Sequence, residues 1–285
     1  LKLPKQSKIA ILSENCAHWI IADLAIMMSG HVSVPLYPTL QADVIKYCLE
    51  HSESKVLFVG KTSKWNEQKN VVDKKIIKIH FPFWKNDSCE NWNDIIETQK
   101  PVTKNYIPKL EDLVTIIYTS GTTGMPKGVM HHYKAFAFAA TALLEEINNL
   151  GLLSNNERFL SFLPLSHIAE RMLVEMGGLY AGAPISIAES IEKMPENLRD
   201  TQPTVFLAVP LIWTRMQAKI LQRLPQKRLD TLLSIPYLSD LIKKKIKENA
   251  GLSAAKFIIS GAAPIPVALI NWYEKLGIEI YEAYG

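Results

Sequence analysis

Cysteine and long apolar runs are both scarce in this sequence. Its three cysteines, Cys16, Cys48 and Cys89, are widely spaced and odd in number, so they form neither a disulfide framework nor a metal-binding motif. Such sparse usage is typical of a reducing compartment. No apolar stretch approaches the roughly 20 residues of a membrane-spanning helix, and the best candidate, residues 19–28, contains Asp23. The first residues also lack the apolar core of a signal peptide. We therefore expect a soluble, cytoplasmic protein.

A large charge excess is also absent. The 32 basic and 28 acidic side chains leave a net charge of +4, too small to indicate a nucleic-acid partner. The one concentrated basic segment, residues 243–247, has four lysines in five positions. It is either a solvent-exposed helix face or a contact for an anionic membrane surface, to which each nearby basic residue contributes about 1 kcal/mol. The sequence leaves peripheral membrane contact open and does not predict the oligomeric state.

The first part of the chain alternates short β-rich runs with longer helical ones. Strands are predicted at residues 8–12, 32–37, 55–59 and 75–79. Helices are predicted between them, at residues 17–29 and 41–50. This alternation favours a parallel sheet with helices on both faces. A polar connector follows, at about residues 86–112.

The alternation begins again after the connector. A strand at residues 114–118 leads into a loop, and a helix is predicted over residues 131–148. Later strands are predicted at residues 158–163, 184–188, 204–209 and 256–260. The helices between them are predicted at residues 168–180, 192–200, 210–224 and 266–276. We predict an α/β protein with mostly parallel sheets and two lobes, at about residues 1–112 and 113–285.

The strongest chemical signal is the loop TSGTTGMPKG, at residues 119–128. Its glycines allow the backbone to approach a ligand closely, successive amide groups can converge on an anion, and Lys127 adds a charge for phosphate oxygens. The Walker A motif does not fit, because Pro126 replaces its second glycine and Gly128 replaces its final Ser or Thr. An ordinary surface turn would not need so many hydroxyls. The loop therefore predicts a polyphosphate-binding site of another class.

This loop resembles the signature loop of the adenylate-forming (AMP-binding) superfamily, which includes acyl-CoA synthetases, luciferases and peptide-synthetase adenylation domains. The resemblance implies that Thr119 also helps to bind magnesium and that Lys127 takes part in catalysis by holding the departing pyrophosphate. The ATP-binding residues that it implies in the loop are Thr119, Ser120, Gly121, Thr122, Thr123, Gly124, Lys127 and Gly128.

The segment FLPLSHIAER, at residues 162–171, resembles the next element of the superfamily. Without the resemblance it is a strand end, a proline turn and a helix start, and its histidine would more often be structural. The resemblance implies that His167 is catalytic and lies beside the acyl carboxylate and the path of the thiol. Its combination with Glu170 and Arg171 resembles the long-chain fatty acyl-CoA synthetases in particular, as do residues 33–39 and 201–210.

Two later segments resemble the adenine-binding parts of the superfamily. The small residues SGAAP, at positions 260–264, follow a predicted strand end, where α/β folds commonly bind ligands, although a plain strand-to-helix turn is the alternative. The resemblance implies an adenine pocket lined by Gly261, Ala262, Ala263 and Pro264. It also implies that Tyr284 stacks on the adenine ring.

The resemblance covers nearly the whole chain and implies the large N-terminal domain of a long-chain fatty acid–CoA ligase. Such an enzyme uses ATP, Mg²⁺ and coenzyme A to convert a fatty acid into an acyl-adenylate and then an acyl-CoA. The alternatives are adenylation of an aryl or amino acid, and a nucleotide-binding module without turnover. The remaining elements of the family, including its C-terminal domain, would lie beyond Gly285. We therefore expect a chain truncated at both ends that is nearly inactive alone.

The resemblance leaves the acyl-binding slot open. Residues 135–140, rich in Ala and Phe, and residues 209–213 could each line an apolar slot for the fatty tail, although such segments are more often plain core. The sequence therefore does not predict the preferred chain length.

Overall fold

The computed structural model describes residues 1–84, 89–103, 106–119, 124–149, 151 and 156–284. The chain forms two compact units. The first comprises Leu1–Ala142 and Pro164–Met172, and the second comprises Leu143–Leu163 and Leu173–Gly285. The boundaries of these units differ from those of the expected lobes, 1–112 and 113–285. The reason is that the strand after the connector, Leu113–Thr119, pairs with a strand of the first sheet.

The first unit contains a seven-stranded sheet with the order β5-β4-β3-β1-β2-β6-β7. Its strands are β1 (Lys8–Leu12), β2 (Val32–Leu36), β3 (Val56–Val59), β4 (Ile77–His80), β5 (Glu90–Asn91), β6 (Leu113–Thr119) and β7 (Lys127–His132). Neighbouring strands run parallel, except that β7 is antiparallel to β6. The central strands β1 and β2 are almost wholly buried, which explains their nearly continuous apolar sequences.

The helices along this part of the chain are α1 (Ala17–Met28), α2 (Ala42–His51), α3 (Trp65–Gln68), α4 (Trp92–Thr98), α5 (Tyr133–Asn149) and α6 (Ile168–Glu170). Ile45, Cys48 and Leu49 of α2 pack into the core formed with the buried faces of the central strands. The polar connector is more structured than expected, since it holds β5 and α4. The side chain of Asn91 caps α4 by accepting a hydrogen bond from the Asn93 amide at 2.9 Å.

The loop at residues 119–128 leads into a strand, whereas the sequence predicted that a helix would begin at residue 131. His131 and His132 belong to β7, and α5 begins only at Tyr133. The prediction was wrong at this point because β7 is an edge strand with mostly exposed residues and shows no alternation of apolar and polar side chains. Its pairing with β6 determines its conformation.

The second unit contains a five-stranded parallel sheet with the order β12-β11-β10-β8-β9. Its strands are β8 (Phe159–Ser161), β9 (Ile185–Ile187), β10 (Val205–Ala208), β11 (Phe257–Ser260) and β12 (Tyr281–Glu282). A π-helical segment (Arg171–Met176) follows α6 along the chain. The later helices are α7 (Gly177–Tyr180), α8 (Met194–Thr201), α9 (Pro210–Arg223), α10 (Gln226–Leu233), α11 (Leu238–Ala250) and α12 (Val267–Lys275). The α/β class and the mostly parallel sheets are confirmed.

The core of the second unit is centred on two aromatic residues from different helices. Trp213 of α9 and Tyr273 of α12 are fully buried and meet edge to face, with ring centroids 5.3 Å apart. The Tyr273 hydroxyl donates a hydrogen bond to the Trp213 carbonyl oxygen at 2.7 Å. Across the described ranges, no helix is both long and apolar enough to cross a membrane.

Candidate functional site

The predicted phosphate loop connects the two strands of a β-hairpin. β6 ends at Thr119 and β7 begins at Lys127, and these two residues lie opposite each other in the antiparallel ladder. Opposed side chains in such a ladder point to the same face of the sheet. Both residues are exposed, so a hydroxyl and an ammonium group flank the base of the loop. The predicted ligands Ser120, Gly121, Thr122 and Thr123 lie outside the described residues.

Two glycines of the loop segment serve different purposes. Gly124 has a φ of +119°, a conformation that other residues rarely adopt, and no atom of the described residues lies within 4 Å of the position of a Cβ there. At Gly128, a Cβ would lie only 2.9 Å from Ile116 Cγ2 and 3.3 Å from Tyr118 Cζ. Gly128 therefore allows close packing between β7 and side chains of β6. A role for either glycine in ATP binding stays a prediction.

The strand that leads into the loop is fixed at its end by a buried tyrosine. The Tyr118 hydroxyl lies 3.2 Å from the carbonyl oxygen of Cys48 and 2.9 Å from Nδ1 of His51. Burial raises the pKa of Tyr118 well above its ordinary value, so the hydroxyl stays protonated. The His51 ring in turn stacks on Tyr47, with centroids 5.2 Å apart. The residue before Thr119 is thus held against α2.

His167 lies at the start of α6 and caps that helix. Its Nδ1 accepts a hydrogen bond from the Ala169 amide at 3.2 Å. This bond requires the neutral tautomer that carries its proton on Nε2. Partial burial of the ring lowers the pKa of His167 below its ordinary value and so favours the neutral form. The residue remains exposed overall, so its ring is accessible to a ligand.

The turn before His167 is held by the segment that follows β1. The Leu165 amide donates a hydrogen bond to Oδ1 of Asn15 at 3.0 Å, and Leu165 and Ser166 are both buried. The His167 amide donates to the Pro164 carbonyl oxygen at 2.8 Å and closes the turn. These contacts fix the backbone that presents His167.

A buried ion pair joins the helix start at His167 to the strand of the loop. Arg171 is fully buried and donates to Asp23 of α1 from Nε at 3.0 Å and from Nη2 at 2.7 Å. Its Nη1 donates to Thr115 Oγ1 of β6 at 2.6 Å. Thr115 Oγ1 donates to the Ser33 carbonyl oxygen at 2.8 Å, and the Ser33 hydroxyl donates to Asp23. Arg171 thus links α6, α1 and β6 within the first unit.

The sequence contained a signal for this network that the sequence analysis did not use. Asp23 is the one acidic residue of a mostly apolar helix, and a fully buried carboxylate requires a charged or hydrogen-bonding partner. Arg171, recognised only as part of a family resemblance, is that partner. Its guanidinium also lies 5.1 Å from the centroid of the Phe136 ring.

The two segments considered for an acyl slot have mixed surroundings. Phe136 packs on Arg171, whereas Phe138 is largely exposed. Ile212 and Trp213 belong to the core of the second unit. Packing therefore accounts for the burial of Phe136, Ile212 and Trp213, and a role for either segment in binding the acyl chain stays a prediction.

In the second unit, the predicted adenine wall is a turn at the end of β11. Gly261 is buried, and a Cβ there would lie 3.4 Å from the Ala283 carbonyl oxygen. Ala262 has a φ of +67°, in the left-handed region. Ala262, Ala263 and Pro264 are exposed, and so is Tyr284. A flat ring could therefore reach this backbone and the Tyr284 side chain without displacing core residues.

Ser260 is a further candidate site residue, which was not selected from the sequence. Its Oγ is buried and has no hydrogen-bond partner among the residues that the structure describes. A buried hydroxyl without a partner is unfavourable, and a ligand at the strand end could supply one. Next to it, the Glu282 carboxylate accepts a hydrogen bond from the Ile265 amide at 3.3 Å, which ties β12 to the residue after the wall.

The structure thus sorts the predicted residues into two sets. Thr119, Lys127 and His167 lie in the first unit, and the wall residues and Tyr284 lie in the second. The family model described as "AMP-binding enzyme" matches residues 1–285. The chain belongs to the AMP-binding enzyme family.

Several long-chain fatty acid–CoA ligases are similar to this AMP-binding chain. The human long-chain-fatty-acid–CoA ligase ACSBG2 is 26% identical over 327 residues, an alignment that covers 100% of this chain and 48% of that protein. The human long-chain-fatty-acid–CoA ligase 1 is 28% identical over 314 residues, which covers 97% of this chain and 44% of that protein. The chain therefore spans about half the length of these curated relatives.

Solved structures agree with this fold. The A-PCP didomain of a carboxylic acid reductase from Segniliparus rugosus, in complex with AMP, matches with a TM-score of 0.78 at 19% identity over 99% of this chain and 43% of that one. The N-terminal domain of FACL13 from Mycobacterium tuberculosis matches with a TM-score of 0.71 at 21% identity over 100% of this chain and 64% of that one. At these identities the likeness concerns the fold alone.

AMP-binding enzymes use ATP, so the residues present can be compared with that requirement. An exposed lysine opposite an exposed threonine fits a polyphosphate. The Thr119 hydroxyl is also an oxygen donor of the kind that Mg²⁺ accepts. No cluster of three or more His, Cys, Asp or Glu able to hold a metal occurs within the described part of the chain. The part of Thr119 in magnesium binding stays a prediction.

Proposed function

We propose that the protein containing this chain activates a long-chain fatty acid with ATP and transfers the acyl group to coenzyme A. The observation that carries this proposal is the Arg171 network. It joins the helix that begins at His167 to β6, the strand that ends at Thr119 opposite Lys127. Acyl-activation chemistry needs a phosphate-binding group and a carboxylate-binding group held in fixed positions, because positioning dominates such transfers.

In the first step, a carboxylate oxygen of the fatty acid attacks the α-phosphorus of ATP. The bond between the α-phosphorus and the bridging oxygen breaks, giving acyl-adenylate and pyrophosphate. Lys127 and the loop amides and hydroxyls hold the β- and γ-phosphates and stabilise the charge that develops on pyrophosphate. A donor in this role typically contributes about 10²–10³-fold in rate. Magnesium, when bound with the nucleotide, neutralises phosphate charge, and Thr119 would supply one of its ligands.

His167 orients the acyl group in this mechanism. Its neutral ring offers an Nε2–H donor, and a charged imidazolium would lose the bond that Nδ1 accepts from Ala169. The Nε2–H can donate to a carboxylate oxygen of the bound acid. In the second step the thiolate of coenzyme A attacks the acyl carbonyl carbon, the bond from that carbon to the bridging oxygen of the mixed anhydride breaks, and AMP departs with this oxygen. The family resemblance implies that His167 lies beside the path of the thiol.

The names of the similar ligases and the sequence around His167, Glu170 and Arg171 support a fatty acid as the substrate. Two alternative functions would use parts of the same site. An aryl or amino acid would use the same loop and the same helix start. A nucleotide-binding module without turnover would need only the loop and the adenine wall. A peripheral membrane contact in an otherwise cytoplasmic protein is consistent with a lipid substrate.

An ATP–pyrophosphate exchange assay on the whole protein tests this function. Palmitate should drive exchange far better than acetate, benzoate or amino acids, because each buried CH₂ group contributes about 0.8 kcal/mol. His167→Ala should lower exchange, with Lys134→Ala, an exposed lysine outside the site, as a control. Preference for an aryl or amino acid would overturn the fatty-acid assignment. ATP binding without exchange for any acid would identify a binding module.

A further inference from the structure

The second unit contains a groove that the proposed chemistry does not use. Helices α8, α9 and α11 enclose a space of about 850 Å³. Its apolar lining comes mainly from Met194, Leu198, Ile212, Met216, Ile220 and Ile246. All the lining residues lie on these helices or in the turns next to them, and none belongs to a strand. The groove is therefore separate from the turn at the end of β11.

Helix α9 contributes two parallel rows of side chains to this groove. Ile212, Met216 and Ile220 recur every four residues and form an apolar row. A basic row of Arg215, Lys219 and Arg223 recurs at the same spacing, one position away, and also lines the groove. Residues four apart lie on one helix face, so each row runs for about 12 Å along the axis. The three basic residues are exposed, whereas Ile212 is buried.

The net positive charge of the chain arises from the segment that contains the groove. Residues 191–250 contain eleven Lys and Arg against six Asp and Glu, an excess of five, whereas the excess over the whole chain is four. Glu196 at the groove is paired with Lys193 at 2.8 Å. Within the part of the chain that the structure describes, no carboxylate lies within ion-pair distance of Arg215, Lys219 or Arg223. These cations remain able to bind an external anion.

We propose that this groove binds a long-chain amphiphile with an anionic headgroup, either free in solution or drawn from a bilayer. The chain lies along the apolar row and the headgroup meets the basic row. The volume falls in the range of small-molecule sites, about 300–1,000 Å³. Two methionines among the lining residues can adapt their shape to a flexible chain. None of the candidate catalytic or ATP-binding residues lines this groove, so a failure to bind the amphiphile would leave the roles proposed for those residues intact.

Hexadecyl phosphate, below its micelle-forming concentration, is the probe for this site. Titration into the whole protein should show saturable binding, and a photoreactive analogue of the probe should label peptides from α8, α9 or α11. The double variant Arg215→Glu/Lys219→Glu should bind at least about tenfold more weakly, because it reverses two charges beside the headgroup. Lys227→Glu makes the same kind of change at an exposed lysine outside the groove and should bind as the parent does.

Met216→Gln tests the apolar row at nearly constant volume and should also weaken binding, with thermal unfolding measured to verify the fold. Hexyl phosphate should bind much more weakly than the hexadecyl probe.

Vesicles containing phosphatidylglycerol distinguish the source of the amphiphile. If the protein binds the vesicles and Met216→Gln weakens this binding too, the groove takes a bilayer lipid. If the protein binds only the free probe, the groove takes a soluble amphiphile. Labelling confined to peptides around His167, or equal affinity in the Lys227→Glu and Arg215→Glu/Lys219→Glu proteins, would overturn the proposal.

Discussion

The hairpin region of the first unit and the adenine-wall region of the second are held by different forces. Behind the hairpin, an ion pair and two hydroxyls form a fully buried polar network around Arg171. Behind the wall, support comes from short parallel strands, a few backbone hydrogen bonds and the aromatic core around Trp213. The candidate wall itself begins at Ser260, whose buried hydroxyl has no hydrogen-bond partner among the described residues.

This difference teaches how tightly each region specifies its geometry. A buried ion pair adds little net stability relative to apolar residues of similar volume, but removing one partner leaves an unpaired buried charge. Apolar packing instead loses free energy in proportion to the volume removed. We therefore expect single changes behind the hairpin to be severe and changes behind the wall to be graded.

The largest effect is expected from breaking the ion pair on one side. Arg171→Met leaves Asp23 buried without its cation and should lower the free energy of unfolding by about 3–5 kcal/mol. The double variant Arg171→Met/Asp23→Leu removes both charges and should recover much of this loss. Urea unfolding followed by circular dichroism measures both. A double variant no more stable than the single one would show that the network stabilises by shape and not by charge pairing.

The next effect separates chemistry from stability at the hairpin. Lys127→Ala should slow pyrophosphate exchange by about 10²–10³-fold and weaken binding of ATP with magnesium. The melting temperature should not change, because Lys127 is exposed. Exchange kinetics and calorimetric titration measure these quantities in the whole protein, with Lys134→Ala as the matched lysine control. Equal ATP affinity in the parent and the Lys127→Ala protein would remove Lys127 from the phosphate site.

A moderate effect is expected behind the wall. Tyr273→Phe removes the buried hydroxyl that donates to the Trp213 carbonyl oxygen and should lower the free energy of unfolding by about 0.5–1.5 kcal/mol, the usual net contribution of one hydrogen bond. Tyr180→Phe, at an exposed tyrosine, is the matched control and should be neutral. Thermal unfolding compares the two. If Tyr273→Phe lost as much free energy of unfolding as Arg171→Met, the expected difference between the hairpin region and the wall region would be contradicted.

The smallest effect concerns the protonation of His167. Partial burial lowers its pKa in the folded state, so the unfolded chain binds this proton more readily. Its contribution to stability is therefore present above the unfolded pKa of about 6.5 and is lost as the pH falls below it. An NMR titration of the imidazole protons, assigned by the signal missing in His167→Gln, should give a midpoint below 6.5. A midpoint above that value would mean that the ring is stabilised in its charged form.

The sequence predicted the buried strands well because burial on both faces leaves a clear pattern. Lys8–Leu12 was predicted with its observed bounds, and Val205–Ala208 lies within its predicted range. The edge strand β7 gave no such signal. Lys127–His132 contains a lysine, a glycine and two histidines, and only its partner strand makes it a strand. Helices α10 and α11 were also not predicted, since neither has a broad buried face.

The candidate site was only partly predictable for a similar reason. Loop composition identified Lys127 and Thr119, because glycines, hydroxyls and a lysine together have few other uses. Contacts between residues far apart in sequence gave no local pattern. Arg171 and Asp23 are separated by 148 positions, and only the fold brings them together. The Ser260 hydroxyl likewise could not be selected from the sequence, because its burial without a partner among the described residues depends on the strands around it.

The burial of Arg171 has a consequence for how the protein would behave in a living cell. A chain that loses several kcal/mol spends more time unfolded, and chaperones and proteases remove such chains. A substitution at Arg171 or Asp23 would therefore lower the amount of protein present before it changed the turnover of each remaining molecule. A genetic screen that reads only total activity would assign these two residues to catalysis. Immunoblot quantities measured beside activity would reveal them as determinants of abundance.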